Sequence, residues 1–265
     1  ASANAALARL ERNHQRVPRA LPAALRTYLE REGLPPWAEL DRVARAQAFA
    51  DRHAVAIATA LFCGALPAAY AGAKGAAVLA LTRRLLDDVD RRVQETGRFV
   101  LDVLTPGGFG PHGRAVRSVQ KVRLLHAAVR RVARGRGGEA ASGEVAINQE
   151  DLLGTLTCFS VVVLRSLDGL GVRVSSRESQ DYLHLWCVVG AMMGVEPALL
   201  PRARQDAEAI EQAIRGRHAR ASRHGTELTR VLVDGIEHHV PLAKVAGLAP
   251  RMMRHLLGEP MGDVL

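Results

Sequence analysis

The sequence predicts an all-α protein in which about ten helices surround one core. Apolar residues recur at helical spacing along most of the 265-residue chain, and no stretch keeps the alternation that is typical of a strand. Hydrophobic residues form 48% of the chain and aromatic residues only 4%, with alanine, leucine, valine and arginine prominent. This composition favours helices over strands, and the length is sufficient for a substantial core.

The first half of the chain is expected to contain helices that are interrupted by proline and glycine. Pro18 separates the first two, and the turn at 33–37 places Pro36 near the first position of the third. The loop at 104–113 is rich in glycine and proline, which excludes regular structure there. The predicted helices span residues 3–15, 20–31, 36–63 and 76–103.

The second half begins with a predicted helix over residues 116–133, followed by a flexible linker at 134–144. The sequence NQED at 148–151 supplies a cap-like start for the next helix, and Ser175 or Ser176 can cap the one after it. The remaining predicted helices span residues 151–167, 178–193, 197–224, 226–235 and 241–257.

We expect one domain over residues 34–265, preceded by a helical extension over residues 1–33. The run 54–73 is uncharged but contains Gly64 and Pro67, so it predicts two buried core helices that meet at a turn, and no integral membrane segment. The chain does not open with the basic and then apolar order of a signal peptide. We therefore expect a cytoplasmic protein, with export of a processed precursor left open.

The chain is strongly basic, with a formal net charge of +9. Such a charge is compatible with anionic partners, and a helical nucleic-acid-binding regulator that uses residues 114–136 is the non-enzyme alternative. That helix would have to expose Val119, Val122 and Val129, and no aromatic residues are interleaved with its basic ones. We therefore expect no nucleic-acid partner. The sequence leaves the oligomeric state open.

The helix predicted at 116–133 carries a histidine on its apolar stripe. His126 shares this stripe with valine and alanine residues at spacings of three and four, while Arg123 and Arg130 lie three residues before and four after it. An imidazole on an apolar wall can ligate iron, and neighbouring guanidinium groups can pair with carboxylates. This arrangement suits a helix that holds haem b. A core histidine flanked by surface arginines is the alternative.

A second polar stripe lies on the helix before the glycine-rich loop. Arg92, Glu95, Thr96 and Phe99 are spaced at i, i+3, i+4 and i+7 and so share one face. Because buried polar groups are costly unless they are paired or used, this face is a candidate for the opposite wall of a site. The alternative is a surface stripe in which Arg92 contacts Glu95 or Thr96.

Seven segments occur in an order that is typical of one protein family. They are LPPWAELD, ALPAAYAGAKGAAVLALTRRL, RRVQETGRFVLDVL, VRLLHAAVR, INQEDLLGTLTCFS, SRESQDYLHLWCVVGAMMGVEPALLP and RHLLGEPMGDVL. Over residues 34–265 the chain resembles the rubber oxygenase (latex-clearing protein) family, which also includes fungal mycophenolic-acid side-chain oxygenases. The resemblance implies an all-α fold with a globin-like core around haem b.

The resemblance also implies roles for individual residues. The proximal haem ligand of the family is the histidine of an RLxHAxVR motif, which corresponds to His126, and the arginines of that motif correspond to Arg123 and Arg130. The stripe itself, rather than the resemblance, leads us to expect that Phe99 contacts the cofactor and that it shapes the pocket together with the glycine-rich loop.

The chain departs from the family pattern on the distal side. Rubber-cleaving members carry an Arg-x-x-Lys-Thr pattern, which here reads Arg92, Glu95 and Thr96, so an acid replaces the lysine. The upstream glutamate of the family, a candidate base, falls near Ala76 in an ungapped match, and residues 52–86 contain no Asp or Glu. We therefore expect chemistry that differs from the usual polyisoprene cleavage, with Glu95 as the distal acid–base group.

These observations together predict a haem b-dependent oxygenase that uses dioxygen on an apolar, isoprenoid-like small molecule. His126 would ligate the iron, Arg92 or Thr96 would form a hydrogen bond to bound oxygen, and Glu95 would move a proton. Two alternatives stay open. One is a haem-dependent dehydratase, isomerase or peroxidase, and the other is the haem-free nucleic-acid-binding regulator.

Overall fold

The computed structural model describes the backbone of residues 3–31, 33–86, 89–135, 145–239 and 247–265, with side chains except at 31, 81–94, 135, 239 and 260. The all-α prediction is confirmed, since the described residues form helices and no strand beyond an isolated bridge between Gly72 and Ala219. In chain order the helices are α1 (Ala3–Arg9), α2 (Ala23–Arg31), α3 (Leu40–Arg52), α4 (Ala54–Ala60), α5 (Leu66–Ala71), α6 (Ala73–Leu86), α7 (Val89–Leu104), α8 (Ala115–Gly135), α9 (Gln149–Thr157), α10 (Val163–Gly169), α11 (Ser176–Met193), α12 (Arg204–His218), α13 (Arg223–His239), α14 (Leu248–Leu257) and α15 (Glu259–Gly262).

Helix α11 is the centre of the core. Trp186 and Tyr182 are almost fully buried, and the helix packs closely against α3. The predicted cap is confirmed, because the Ser175 hydroxyl accepts a hydrogen bond from the Glu178 N–H and the Glu178 carboxylate accepts one from the Ser175 N–H. At the other end, Gly194 adopts φ 97°, the left-handed conformation that ends helices. The sequence therefore specifies both ends of this helix.

The third predicted helix differs from the structure at both ends. The helix begins at Leu40 rather than near Pro36, it is interrupted at His53, and a helical path then continues through α4 and α5 to Ala71. The predicted stop near Cys63 is wrong because a π turn at Leu61–Ala65 directly precedes Pro67. Proline lacks an N–H and crowds the carbonyl one turn back, and the wider turn accommodates both effects without ending the helix.

The paired helical stretches Ala54–Ala71 and Gln149–Gly169 are long and apolar enough to cross a membrane by length and composition. More than half of each is buried in the fold, which is the packing of core helices. The second stretch also contains a π turn, Cys158–Val162, and the two π turns pack against each other. The apolar composition of these segments is therefore explained by burial in the core, as predicted.

Several predicted boundaries shift where the backbone finds other partners. The first helix ends at Arg9 rather than Gln15, because the N–H groups of Asn13 and His14 donate to Gly113 and Pro111 carbonyls of the glycine-rich loop. The helix predicted over 197–224 is confined to α12, since the Arg220 N–H donates to the Ala71 carbonyl. Most of the predicted linker at 134–144, the 87–88 step of the long fourth helix and the start of the helix predicted at 241 lie outside the described residues.

The N-terminal segment packs on the outer face of α8. Leu10, Leu21 and Leu29 are buried there in a small apolar cluster of their own. The Arg117 guanidinium is buried at the centre of this contact and donates to the Leu29 carbonyl at 2.8 Å and to the Gln15 carbonyl at 2.9 Å. Helix α8 is therefore held by directional hydrogen bonds as well as by apolar packing. The predicted domain boundary after residue 33 stays a prediction.

We expect Arg117→Met to lower the free energy of unfolding by about 2–3 kcal/mol, because it removes several hydrogen bonds from a buried charged group and leaves backbone carbonyls without their donor. Arg114→Met is the matched control, since Arg114 immediately precedes α8, forms a partly exposed ion pair with Glu11, and should cost less than about 1 kcal/mol when replaced. Urea unfolding followed by circular dichroism measures both values. Equal losses for the two variants would contradict this role for Arg117.

We expect Gly225→Ala to destabilise the protein by about 1–3 kcal/mol, because a Cβ atom at this position would lie 2.6 Å from the Tyr70 carbonyl oxygen and would push α13 away from α5. Gly216→Ala is the control. No atom lies within 4 Å of a Cβ built at Gly216, which is exposed on α12, so alanine should be neutral or should stabilise the helix by up to about 1 kcal/mol. Thermal unfolding of both variants tests the close approach of α5 and α13.

Candidate functional site

A cavity of about 890 Å³ lies among the helices and is bordered by residues of α5 to α9 and α11 to α13. Its volume falls within the range of roughly 300–1,000 Å³ that is usual for small-molecule and cofactor sites. Phe159 and Trp186 stack in its wall with ring centroids 5.1 Å apart. Leu66, Val78 and Leu79 add aliphatic surface from α5 and α6. Much of the wall therefore suits an apolar molecule.

Helix α8 presents His126 to this cavity. Val122, His126 and Val129 line the wall, while Val119 and Ala133 at the ends of the same stripe are buried in the protein. The imidazole is half-buried, and its Nδ1 atom is enclosed by protein. Sequence spacing thus located a histidine at an apolar cavity wall, where an imidazole nitrogen can act as a ligand.

Helix α7, which packs against α8, contributes its polar stripe to the same cavity. Glu95, Thr96 and Phe99 all line it, with Glu95 exposed and the other two half-buried. The side chain of Arg92 lies outside the described residues, as do the contacts with Arg92 that the surface-stripe alternative requires. The structure therefore brings three of the four residues of this stripe to the cavity that His126 borders.

The two arginines that flank His126 do not line the cavity. The Arg123 guanidinium donates to the Met192 carbonyl at 3.1 Å and lies 6.0 Å from the ring centroid of Tyr28. Arg130 is half-buried but is likewise not among the lining residues. Residues three or four apart share a helix face only near the backbone, and a long side chain turns toward its partners. The structure gives no support to their predicted role as partners of cofactor carboxylates, which stays a prediction.

The cavity also has an ionic end that the sequence did not reveal. Asp151 caps α9 and forms an ion pair with Lys74 of α6 at 3.1 Å. Glu150 forms an ion pair with Arg217 of α12 and lies 3.2 Å from the Nε2 atom of His218, and the hydrogen bond from Arg217 lowers the pKa of this carboxyl group. The NQED motif predicted a helix cap only. Two residues of this motif, Glu150 and Asp151, also form ion pairs with residues of α12 and α6, which are distant in sequence.

Two further charged residues line the cavity from α8 and α12. Glu211 is almost fully buried and pairs with Arg165 and Arg215, each at 3.1 Å. Lys121 is half-buried in the wall formed by α8, and burial lowers the pKa of its amine. Lys121 is adjacent to Val122 in sequence, so its side chain leaves α8 about 100° away from that of Val122. The helical pattern therefore did not indicate that Lys121 would line the cavity.

The position near which an ungapped match places the expected upstream base carries no acid. Ala76 is fully buried in α6, with no exposed surface. Carboxylates reach the cavity from other elements instead, namely α7, α9 and α12. Within the described part of the chain, no group of three or more His, Cys, Asp and Glu side chains is arranged to hold a metal ion.

The comparisons with known proteins agree with this fold. The family model described as "ER-bound oxygenase mpaB/B'/Rubber oxygenase, catalytic domain" matches residues 46–265. The rubber oxygenase of Streptomyces sp. (strain K30) is 27% identical over 275 residues, which cover 99% of this chain and 65% of that protein. The solved structure of latex clearing protein LCP in the closed state has a TM-score of 0.83 and 26% identity, covering 98% of this chain and 71% of the other.

The chain thus spans 65% of the length of its curated relative. The matches to the family model, to the relative and to the solved structure confirm the resemblance seen in the seven sequence segments, and they agree on an all-α fold. The chain therefore belongs to the ER-bound oxygenase mpaB/B'/rubber oxygenase catalytic-domain family.

Proposed function

We propose that this protein is a haem b-dependent oxygenase that uses dioxygen on an apolar small molecule. The observation that carries the proposal is the position of His126 on the wall of a largely apolar cavity that Glu95 and Thr96 also border. Membership of an oxygenase family supports the reaction class. Haem, the residue roles and the substrate are inferences from the site.

The residues around the cavity fit a haem group. A macrocycle of this kind is flat and mostly apolar, and the aromatic and aliphatic walls near Phe159 and Trp186 offer matching surface. Histidine is a common axial ligand of haem iron, and the half-buried imidazole of His126 is the candidate. Bound haem would supply the electron transfer and oxygen chemistry that amino-acid side chains lack.

The side chains of the protein would hold the haem, form a hydrogen bond in the cavity and transfer a proton. His126 would bind the iron from α8, and the Thr96 hydroxyl on α7 would donate a hydrogen bond into the cavity. The Glu95 carboxylate would accept or release a proton on the same side. Phe99 would exclude water from the apolar wall next to these groups. Arg92 keeps its proposed distal role on sequence grounds alone.

The walls favour an apolar substrate. Val189 and Leu228 extend the aliphatic lining from α11 and α13. A substrate that buries apolar surface here gains free energy in proportion to the area removed from water. An isoprenoid-like hydrocarbon is our proposed substrate class, in keeping with the rubber oxygenase that this chain resembles.

A second candidate function keeps the haem and omits oxygen insertion. The acid at Glu95 and the absence of an acid at Ala76 depart from the pattern of the rubber-cleaving enzymes. Acid–base chemistry beside a bound haem would suit a dehydratase, an isomerase or a peroxidase. The haem-free nucleic-acid-binding alternative is less consistent with the fold, because Val119 and Val129 are buried and Val122 lines the cavity.

We expect His126→Ala to lose most of its bound haem, because the substitution removes the proposed axial ligand from the cavity wall. The ratio of Soret to protein absorbance after reconstitution measures haem content, and added imidazole should restore part of the spectrum. His255→Ala is the control, since His255 is exposed on α14 and makes a hydrogen bond with the Gly169 carbonyl. Full haem content with an unchanged spectrum in His126→Ala would overturn the ligand assignment.

We expect Glu95→Gln to lower turnover about 100-fold while haem content stays the same, because glutamine preserves shape but cannot transfer a proton. Oxygen consumption with squalene as the isoprenoid probe is the measurement. Glu30→Gln, at an exposed position on α2, is the matched control and should behave as the unmodified protein. Unchanged turnover in Glu95→Gln would remove the acid–base role from this residue.

A further inference from the structure

Lys121 is a cation on the cavity wall that has no acidic partner among the side chains that the structure describes. Among the described residues its amine makes one hydrogen bond, to the Ala8 carbonyl at 3.4 Å, and no carboxylate lies within 4.0 Å of it. The usual distance of such a bond is about 2.9–3.0 Å, so this one is long. A half-buried ammonium group held this weakly would gain from an anionic partner.

The surroundings of Lys121 carry an excess of positive charge. Arg98 of α7 and Ser118 of α8 line the cavity beside it. The nearby carboxylate of Asp102 accepts a hydrogen bond from the Ser118 hydroxyl at 2.7 Å and lies 3.7 Å from the Arg98 Nε atom. Asp102 is thus engaged by two other side chains, and the seam between α7 and α8 presents two cations for one carboxylate.

The nearest acid of the N-terminal segment is also engaged elsewhere. Glu11 forms an ion pair with Arg114 at 2.9 Å. Its charge and that of Asp102 act on Lys121 only across a longer distance. The described part of the chain therefore supplies the Lys121 amine with a partial counter-charge but with no carboxylate in direct contact.

The other described cations of the cavity wall differ from Lys121 in this respect. Lys74 pairs with Asp151 at 3.1 Å, and Arg215 pairs with Glu211 at the same distance. His218 lies 3.2 Å from Glu150. These pairs satisfy the ionic end of the cavity internally. The α7–α8 seam is the place where an added carboxylate would meet an available cation.

We infer that Lys121, with Arg98 beside it, binds a carboxylate of the molecule that fills the cavity. The inference rests on the proposed function, in which this molecule includes haem b with its two propionates. It is an alternative to the sequence-based assignment of the same task to Arg123 and Arg130, which are not among the lining residues. A carboxylate on the substrate is chemically equivalent, and the experiment separates the two sources.

The first arm compares haem b with its dimethyl ester, in which both propionates are neutral. We expect Lys121→Met to accelerate loss of haem b to apomyoglobin about tenfold, and to change loss of the dimethyl ester less than about twofold. Lys121→Arg should retain most of the affinity. Lys74→Met is the matched control, because it removes an amine that already has a carboxylate partner and should affect both haem forms alike.

The second arm titrates farnesoic acid into the reconstituted protein and follows the Soret shift. Weaker farnesoic acid binding in Lys121→Met, with unchanged loss of haem b, would assign the carboxylate to the substrate. If neither ligand distinguishes Lys121→Met from the unmodified protein, the inference is overturned, and the amine serves only the end of α1. A lowered melting temperature of Lys121→Met without a change in the binding of either ligand would show that the amine only stabilises the end of α1.

Failure of the proposed function is a separate result. An unmodified protein that takes up neither haem b nor its dimethyl ester would contradict haem dependence. The carboxylate site is then tested on the same protein by calorimetric titration with farnesoic acid, in which Lys121→Met should weaken binding about tenfold. Equal affinities in that titration would overturn the inference independently of haem.

Discussion

The cavity depends on how α8 is held from outside. One face of this helix borders the cavity through His126, so its position along its own axis determines where the imidazole lies. Apolar packing alone resists sliding weakly because it is not directional. The buried Arg117 guanidinium donates hydrogen bonds to the backbone carbonyls of Gln15 and Leu29. These hydrogen bonds are directional and therefore oppose sliding of α8 along its axis. The N-terminal segment is thereby part of the support of the site, although the family model begins at residue 46.

The same segment also holds the loop that joins α7 to α8. The Asn13 side chain donates to the carbonyls of Gly108 and Gly110, and its carbonyl oxygen accepts a hydrogen bond from the Arg117 N–H. This loop determines the relative positions of the two helices that carry Glu95 and His126. A short region of chain thus connects both polar sides of the candidate site. The glycines of the loop permit the close backbone approach, because a Cβ at Gly108 would lie 2.4 Å from the Asp102 carbonyl.

Sequence patterns predicted the features that depend on local helical periodicity. They missed the features that depend on packing between elements far apart in the chain. His126 and the face of Glu95 and Thr96 were found because helical spacing places them on faces that tertiary structure uses directly. The cofactor role of Arg123 stays a prediction, because helical spacing gives the position of its Cβ atom but not that of its guanidinium. The guanidinium contacts Tyr28 and the Met192 carbonyl.

The features that were missed involve elements far apart in the chain. The ionic end of the cavity needs Asp151 beside Lys74, a contact between α6 and α9 that no local pattern encodes. The other carboxylates that line the cavity also depend on such contacts. Asp151, Glu150 and Glu211 form ion pairs with Lys74, with Arg217 and with Arg165 and Arg215. Glu95 reaches the cavity from α7, on the wall next to Thr96, and this position is where the chain departs from its rubber-cleaving relatives. The position at which the resemblance implies a lysine thus carries the carboxylate to which we assign the proposed proton transfer.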